Sequence, residues 1–294
     1  MVAESYGVVC LRSIFFNFQI SFFESDTGLY DFCILNIYKS MITTVVLGNK
    51  TLYADLSKPV DLSIPLRDGT ENPNCFWAPM PEFSPVRAGN FVGSTAEGGS
   101  VNFFNVKMNP HGNGTHTECV GHISGERYVL SECLKQFHFP AVLASVYPQR
   151  TGNGDRVILK EHLEHCITDP GISAVLIRTM PNDIYKKTTN WSDSNPPYLH
   201  HEAVSFLVEK GVRHLLVDLP SVDREVDGGE LLGHRAFWQY PGNTRTDCTI
   251  TEMIYVPGEI RDGLYLLNIQ TLAIELDASP SRIVVYQLVS NPEG

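Results

Sequence analysis

Three histidines and a glutamate lie within a dozen residues of one another, and their types and spacing suit metal chemistry. They are His111, His116, Glu118 and His122. Gly112 and Gly114 disfavour a helix, so the segment is predicted to be a turn that leads into a strand. Side chains two positions apart share one face of a strand, so His116 and Glu118 are expected to converge. Imidazole nitrogens and carboxylate oxygens are the ligands of zinc and manganese in hydrolytic sites, where the ion lowers the pKa of a water.

His122 has the same strand parity as His116 and Glu118, but a bend at Gly121 would place it beside the cluster instead of within it. A lone histidine on a strand is more often a hydrogen-bonded structural residue than a ligand. Several ionisable groups packed together are different, because burying them without a metal ion or a charged partner is costly. The pattern therefore favours a metal site over a structural cluster.

The elements that must position these residues are strands and helices in alternation. Four apolar runs bounded by turn residues are predicted to be buried strands: Ile172–Arg178, His214–Leu219, Gly263–Ile269 and Arg282–Leu288. The segment His201–Lys210 has apolar residues at helical spacing and is followed by Gly211, a typical C-terminal cap. This alternation predicts an α/β or α+β class, and no linker or repeat divides the chain from Asp61 onward.

Two groups of residues outside the cluster are candidates for contact with a substrate. Phe76 and Trp77 belong to a Pro- and Gly-rich stretch at 68–99, which is either the wall of a pocket or a surface loop pinned by its own aromatic rings. Ser221 and Asp223 follow a predicted strand, where α/β sheets gather ligands, although Ser-Val-Asp is also ordinary turn chemistry. Both alternatives stay open for each group.

Composition excludes several classes of protein. The 294 residues carry 33 acidic and 22 basic side chains, a net charge of −11, which disfavours binding to the nucleic acid backbone. The hydrophobic fraction of 43% is that of a globular protein, and no apolar run is long enough to span a membrane. Seven widely spaced cysteines without a C-x-x-C pair indicate a reducing compartment, so a cytoplasmic location is expected.

The central segment resembles the signature of the cyclase superfamily of metal-dependent hydrolases, which includes bacterial-type kynurenine formamidase and isatin hydrolase. Its pattern is His-x-Gly-Thr-His-x-Asp-x-Pro-x-His, and Gly114, Thr115, His116 and His122 match it position for position. The resemblance continues through the segments Asp61–Leu66 and Asp218–Asp223 to His234 and Glu252. It implies a single α/β domain of the swivelling β/β/α type, with a mixed, barrel-like sheet and helices packed outside. Residues 46–294 are assigned to this domain and residues 1–45 to an N-terminal extension of undetermined structure.

Three positions depart from the family pattern. Glu118 stands where the family has aspartate, and Val120 stands where it has proline. The first histidine of the pattern falls at Gly112, whereas the histidine of this chain, His111, is one residue earlier. The glycines allow a turn that brings His111 round, so we favour it as a ligand. If it does not ligate, the site holds one metal ion, binds metal weakly or acts without metal.

The resemblance implies one or two Zn²⁺ or Mn²⁺ ions held by five residues: His111, His116, Glu118, His234 and Glu252. His122 and Glu252 are the expected catalytic residues. The substrate is expected to be a small amide, lactam or lactone, with aryl formamides such as N-formylkynurenine, from tryptophan catabolism, as the first candidate. Family members imply a homodimer. A metal-dependent cyclase or dehydratase, or a catalytically lapsed homologue that only binds a small molecule, are the alternatives.

Overall fold

Strands dominate residues 40–291, the part of the chain described by the computed structural model. In chain order they are β1 (Ile42–Leu47), β2 (Lys50–Asp55), β3 (Val60–Asp61), β4 (Glu82–Pro85), β5 (Arg87–Ala88), β6 (Phe91–Val92), β7 (Phe104–Lys107), β8 (His116–Glu118), β9 (His138–Val146), β10 (Gln149–Arg150), β11 (Arg156–Ile158), β12 (Ala174–Thr179), β13 (Tyr198–Leu199), β14 (His214–Val217), β15 (Thr249–Glu252), β16 (Gly263–Thr271) and β17 (Ala278–Gln287). The α-helices of this part are short: α1 (Leu130–Cys133), α2 (His201–Glu209) and α3 (Leu232–Trp238).

The main sheet closes on itself. Its order is β16-β9-β12-β14-β15-β8-β17-β3, and β16 also pairs with β17. That last pairing joins seven of the strands into a barrel, with β3 at the edge. Strands β9, β12, β14 and β15 run parallel, whereas the pairings of β8, β16 and β17 are antiparallel. The predicted α/β class with a mixed, barrel-like core is confirmed.

Alternate residues of the barrel strands pack on opposite faces, as the two-residue period of a strand requires. Leu176 and Leu216 belong to the apolar cluster on the inner face. Their neighbours Val175 and Leu215 belong to the outer cluster, which also holds Phe237 of α3 and the buried face of α2. Helices α2 and α3 therefore cover the outside of the barrel, whereas Leu130 and Cys133 of α1 belong to the inner cluster. Burial of both faces of the strands explains the continuous apolar runs in the sequence.

The predicted strands and helix occur with small shifts at their ends. The four apolar runs correspond to β12, β14, β16 and β17, and the predicted helix corresponds to α2. The stretch 68–99 is more regular than expected, because β4 pairs with β7 and β5 pairs with β6 in two antiparallel arms. Pro85 ends β4, at the edge of its two-stranded arm, where no further ladder bond is needed.

The N-terminal boundary predicted between residues 45 and 46 falls inside β1, which pairs along its length with β2. Residues 1–39 lie outside the described residues, so their assignment as an extension stays a prediction. Within 40–291, none of the helices has the length and apolar character that crossing a bilayer requires.

His214, at the start of β14, is a buried histidine outside the predicted metal site. The centroid of its ring lies 3.8 Å from that of the Phe139 ring, and its Nδ1 is 2.9 Å from the Thr249 hydroxyl. Burial, reinforced by the charge of Arg213, lowers the pKa of His214 to about 3. The ring therefore stays neutral in the folded protein over most of the acid range.

We expect the stability of the fold to decline as the pH falls below about 6.5, the ordinary histidine pKa. In this range the unfolded chain binds a proton at residue 214 and the folded chain does not. The free energy of unfolding therefore falls by at most about 1.4 kcal/mol per pH unit. Urea unfolding of wild type and His214→Asn between pH 7 and pH 4 should show a flatter dependence in the variant. The exposed His165→Asn is the matched control. Parallel curves for wild type and His214→Asn would contradict the prediction.

Candidate metal centre

A turn ahead of β8 carries His111. The N–H of Gly112 bonds to the backbone and side-chain oxygens of Asn109, at 3.3 and 3.0 Å. A Cβ at Gly112 would lie 2.2 Å from the Cβ of Ala78, so the position of the family's first histidine has no room for a side chain in this backbone. His111 is turned inward instead, and its Nδ1 lies 3.0 Å from Oε2 of Glu118.

Strand β8 places His116 and Glu118 on one face, and both side chains are fully buried. The antiparallel pairing of β8 with β15 puts Glu252 opposite His116. Nε2 of His116 is 3.5 Å from Oε2 of Glu252, and one ligand atom from each of these three residues lies within 4.8 Å of the others. The register of two strands, far apart in the chain, therefore unites the two sequence motifs.

Helix α3 supplies His234 from the other side of the cluster. Its Nε2 lies 3.1 Å from Oε1 of Glu118 and 3.8 Å from Oε1 of Glu252. Its Nδ1 lies 2.6 Å from Oδ2 of Asp223, and the same carboxylate accepts the backbone N–H groups of Gly233 and His234. Asp223 thus fixes both the start of α3 and the orientation of the His234 ring.

The three histidines share one arrangement, in which one ring nitrogen contacts an oxygen outside the cluster and the other faces inward. The outer contacts are His116 Nδ1 with the Gly114 carbonyl at 2.9 Å, His234 Nδ1 with Asp223, and His111 Nε2 with Asp277 at 2.8 Å. The inner nitrogens are those that approach Glu118 and Glu252. Bonds of this kind orient the ring and hold a proton on the outer nitrogen, so the inner nitrogen is the one that could bind a metal ion once its own proton is displaced.

Two buried atoms at that point have no hydrogen-bond partner among the described residues: Nε2 of His116 and Oε2 of Glu118. The Glu118 oxygen is close to His111 Nδ1 but lacks the alignment of a hydrogen bond. A buried polar atom without a hydrogen-bond partner costs free energy. A short contact of this kind is nevertheless expected between two atoms that are ligands of the same metal ion. The nitrogen and carboxylate donors fit a divalent zinc or manganese ion.

The electrostatics of the cluster also favour a cation. Burial by itself would raise the pKa of the Glu118 carboxyl, but the imidazoles of His122, His111 and His234 outweigh it and hold that pKa well below its usual range. Burial opposes charge on His111, yet its hydrogen bond to Asp277 and its contact with the Glu118 carboxylate raise its pKa to about 10. The pKa of His234 is likewise raised well above its usual value: burial opposes this, but Asp223, Glu118 and Glu252 outweigh it. The carboxylates thus favour the protonated forms of His111 and His234 when no metal is present, and a metal ion would displace those protons.

His122 lies beside the cluster, which is one of the two positions that its strand parity and Gly121 left open. It ends a single 3₁₀ turn, Val120–His122, that follows β8. Its Nδ1 is 3.8 Å from Glu118 and 3.7 Å from Asp277, and its side chain keeps 31% of its exposure. The ring therefore borders the metal centre and also reaches solvent.

A cavity of about 580 Å³, a size typical of small-molecule sites, opens onto the cluster. All four predicted substrate contacts line it: Phe76, Trp77, Ser221 and Asp223. Both aromatic residues have positive φ angles, 51° and 52°, and Trp77 donates from its backbone to Ser192 and from its ring to Asp193. Phe83, an aromatic residue of the same Pro- and Gly-rich stretch, lies on β4 and is not among the lining residues. The oxygens of Asp223 are already engaged by α3, and its substrate contact stays a prediction.

Asp277, just before β17, is the residue at this site that sequence reasoning missed. It belongs to no motif and lies 166 positions from His111. The shifted position of His111 was the one sequence signal that pointed to an additional partner. Cys119, the residue after Glu118, packs instead with the apolar cluster on the inner face of the barrel.

The contact between Asp223 and His234 leads to a prediction about metal affinity. We expect Asp223→Asn to weaken zinc binding about 10- to 100-fold, because the amide no longer holds the His234 ring as a carboxylate does. Competition with a chromophoric chelator measures the change. Glu230→Gln, which removes a charge from the exposed side of the same loop, is the control. Equal affinities for wild type and Asp223→Asn would contradict this role.

Comparisons with known proteins agree with this geometry. The family model described as "Putative cyclase" matches residues 60–224. A kynurenine formamidase of Bacillus anthracis is 30% identical over 231 residues, which cover 78% of this chain and 97% of that protein. One from Bacillus thuringiensis strain Al Hakam is 31% identical over 194 residues, 65% of this chain and 83% of that protein.

Solved structures show the same fold at lower identity. Isatin hydrolase A from Labrenzia aggregata, bound to benzyl benzoate, aligns with a TM-score of 0.58 at 18% identity and covers 80% of this chain and 94% of its own. A structure described as a potential metal-dependent hydrolase with cyclase activity gives 0.57, also at 18% identity, over 78% of this chain and 97% of its own. With the family model matching more than half of its length, the chain belongs to the cyclase family of metal-dependent hydrolases.

Proposed function

We propose that this protein is a metal-dependent hydrolase of C–N bonds other than peptide bonds, and that its substrate is a small aryl formamide such as N-formylkynurenine. The observation that carries the proposal is the pair of unpaired buried atoms, His116 Nε2 and Glu118 Oε2, next to the histidines His111, His122 and His234 that line a cavity of small-molecule size. Similarity to kynurenine formamidases over nearly their full length supports the choice of substrate.

The residues that would hold a divalent ion are His116, Glu118, His234 and Glu252, with His111 beside Glu118 Oε2. Glu118 presents one oxygen to His234 and the other to His111, so it is the residue placed to serve one ion or to bridge two. A bound zinc or manganese ion supplies Lewis acidity that polarises the substrate carbonyl and lowers the pKa of a water.

His122 is proposed to move the proton. Its Nδ1 faces the carboxylates of Glu118 and Asp277, so Nε2, on the other side of the ring, is available to the cavity. From there the ring accepts a proton from the attacking water or delivers one to the leaving amine. Glu252 accepts the N–H of Val222 through Oε1, which keeps its carboxylate directed at the cluster.

The rim of the cavity is proposed to bind the aryl part of the substrate. The exposed rings of Phe76 and Trp77 offer flat apolar surfaces above the cluster, and stacking on a planar ring adds to simple burial. Ser221 offers a hydroxyl on the same wall, although it accepts a contact from the Asp223 N–H at 3.1 Å.

The test is hydrolysis of N-formylkynurenine by purified protein loaded with zinc or with manganese. We expect release of formate and the free amine with kcat/KM on the order of 10⁴ M⁻¹ s⁻¹ or more, and loss of both products after chelation. Isatin and a simple aryl lactone, tested in parallel, separate a formamidase from a hydrolase of ring substrates. Stoichiometric metal without turnover of any amide, lactam or lactone would identify a binding homologue and overturn the proposal.

We also propose a cytoplasmic homodimer. The arms formed by β4–β7 and β5–β6 expose Phe91, Phe103, Phe104 and Val106, a density of apolar side chains that suits a protein contact. Light scattering after size exclusion should give twice the chain mass of 32.8 kDa. A monomer at micromolar concentration would rule out the dimer without affecting the proposed reaction.

A further inference from the structure

We propose that Asp277 is a positioning residue, which holds His111 so that Nδ1 faces Glu118 and can serve as a metal ligand. This inference rests on the proposed metal centre. It assigns a role to a residue outside the segments that carry the family resemblance. It also accounts for a histidine that stands one position away from the family pattern.

The His111 ring lies between two carboxylates. Nε2 is 2.8 Å from Oδ2 of Asp277, and Nδ1 is 3.0 Å from Oε2 of Glu118. The contact with Asp277 has the geometry of a hydrogen bond, whereas the contact with Glu118 leaves that oxygen without one. An ionised carboxylate can only accept, so Asp277 keeps a proton on Nε2, and Nδ1 is the nitrogen whose proton a metal ion would displace.

The position of Asp277 is fixed by the backbone of the barrel. Its carbonyl accepts the N–H of Cys119 at 2.9 Å, and the next residue, Ala278, pairs with Glu118 across β17 and β8. A Cβ at Gly121 would come within 3.0 Å of the Asp277 Cβ and 2.2 Å of the Tyr128 carbonyl. The glycine therefore makes room for the carboxylate beside the cluster.

His234, on the opposite side of Glu118, is also held by an aspartate at its outer ring nitrogen. There Asp223 contacts Nδ1 at 2.6 Å, and Nε2 faces Glu118 Oε1. Glu118 therefore stands between two histidines, each backed by an aspartate. Carboxylates behind metal-binding histidines orient the ring and raise its basicity, and their loss typically weakens metal affinity about 10- to 100-fold.

The proposal also explains how the site can use His111, which stands one position away from the family pattern. Gly112 cannot carry a side chain because Ala78 occupies the space. His111 comes from a different point on the backbone, and its side chain keeps 27% exposure, so packing alone does not fix the ring. The bond to Asp277 supplies the constraint that burial supplies for His116.

The experiment is a double-mutant cycle read as zinc affinity, measured by competition with a chromophoric chelator. We expect Asp277→Asn to weaken zinc binding about 10- to 100-fold. In a His111→Ala background the same change should have less than about a twofold effect, because its target is gone. Glu275→Gln, which removes a charge from the exposed end of the same loop and breaks only a surface pair with Arg127, is the matched control and should bind zinc like the wild type.

Each other outcome overturns a separate statement. Wild-type affinity in Asp277→Asn would overturn the role of Asp277, while leaving the metal centre intact. A full additional loss in the His111→Ala background would show that Asp277 acts independently of His111, which also overturns positioning. Absence of zinc binding by the wild type would instead overturn the proposed function on which the inference rests. Circular dichroism of all variants shows whether they fold.

Discussion

Replacing His116 with alanine is expected to remove bound metal from the protein and to bring hydrolysis down to background. His116 has no exposed surface, its Nδ1 is held by the Gly114 carbonyl, and its Nε2 has no other partner among the described residues. Loss of a direct ligand should weaken metal affinity by more than the ~100-fold upper figure for outer residues. Without this imidazole, the buried carboxylates of Glu118 and Glu252 remain, but the site has one nitrogen ligand fewer.

Elemental analysis by inductively coupled plasma mass spectrometry checks this result together with activity. Wild type should carry about one or two divalent ions per chain, and His116→Ala and His234→Ala should both lose them. His165→Ala, which removes an exposed histidine far along the chain from either motif, should keep the wild-type content. Retention of metal by both cluster variants would place the ion elsewhere and contradict the assignment of these ligands.

Replacing Lys186 with methionine is expected to destabilise the fold by about 3–5 kcal/mol, because it leaves a buried carboxylate without its counterion. Nζ of Lys186 lies 2.7 Å from Oδ2 of Asp218, and the two side chains are 9% and 0% exposed. The ammonium group also donates to the carbonyl and hydroxyl of Thr179. This network joins the ends of β12 and β14, next to the segment that leads to Ser221.

Urea unfolding of single and double variants measures the effect. The Lys186→Met/Asp218→Asn double variant should recover part of the lost stability, because removal of both charges eliminates the uncompensated one. Lys58→Met breaks an exposed pair with Asp55 and should cost no more than about 1 kcal/mol. If Lys186→Met were as mild as Lys58→Met, the buried pair would have no special weight in the fold.

The sequence was sufficient to predict those features of the metal centre that depend on residues close together in the chain. The glycines of the segment 109–122 and the period of a strand were enough to predict that His116 and Glu118 share a face, because that relation depends on neighbours in the chain. The apolar runs of β12, β14, β16 and β17 and the helix α2 were readable for the same reason. Family resemblance added His234 and Glu252, which spacing alone could not connect to the cluster.

The position of the first histidine was decided by packing between distant segments. The sequence showed only that His111 is displaced and that the glycines permit a turn. The structure shows that Ala78 excludes a side chain at Gly112, while Asp277 offers His111 a partner. Neither contact has a local signal, because each depends on where a remote loop lies.

The closure of the barrel and the register of its strands were likewise decided by the tertiary structure. The order of the strands depends on which strands pair after long connecting segments. The register that sets Glu252 opposite His116 cannot be derived from either strand by itself. Residue types and spacing were enough to identify the histidines and the glutamate of the segment 109–122 as possible metal ligands, and to predict several of the strands. The fold was needed to show which ligands meet, because the contacts of His111 with Asp277, of His234 with Glu118 and of His116 with Glu252 each join residues more than a hundred positions apart.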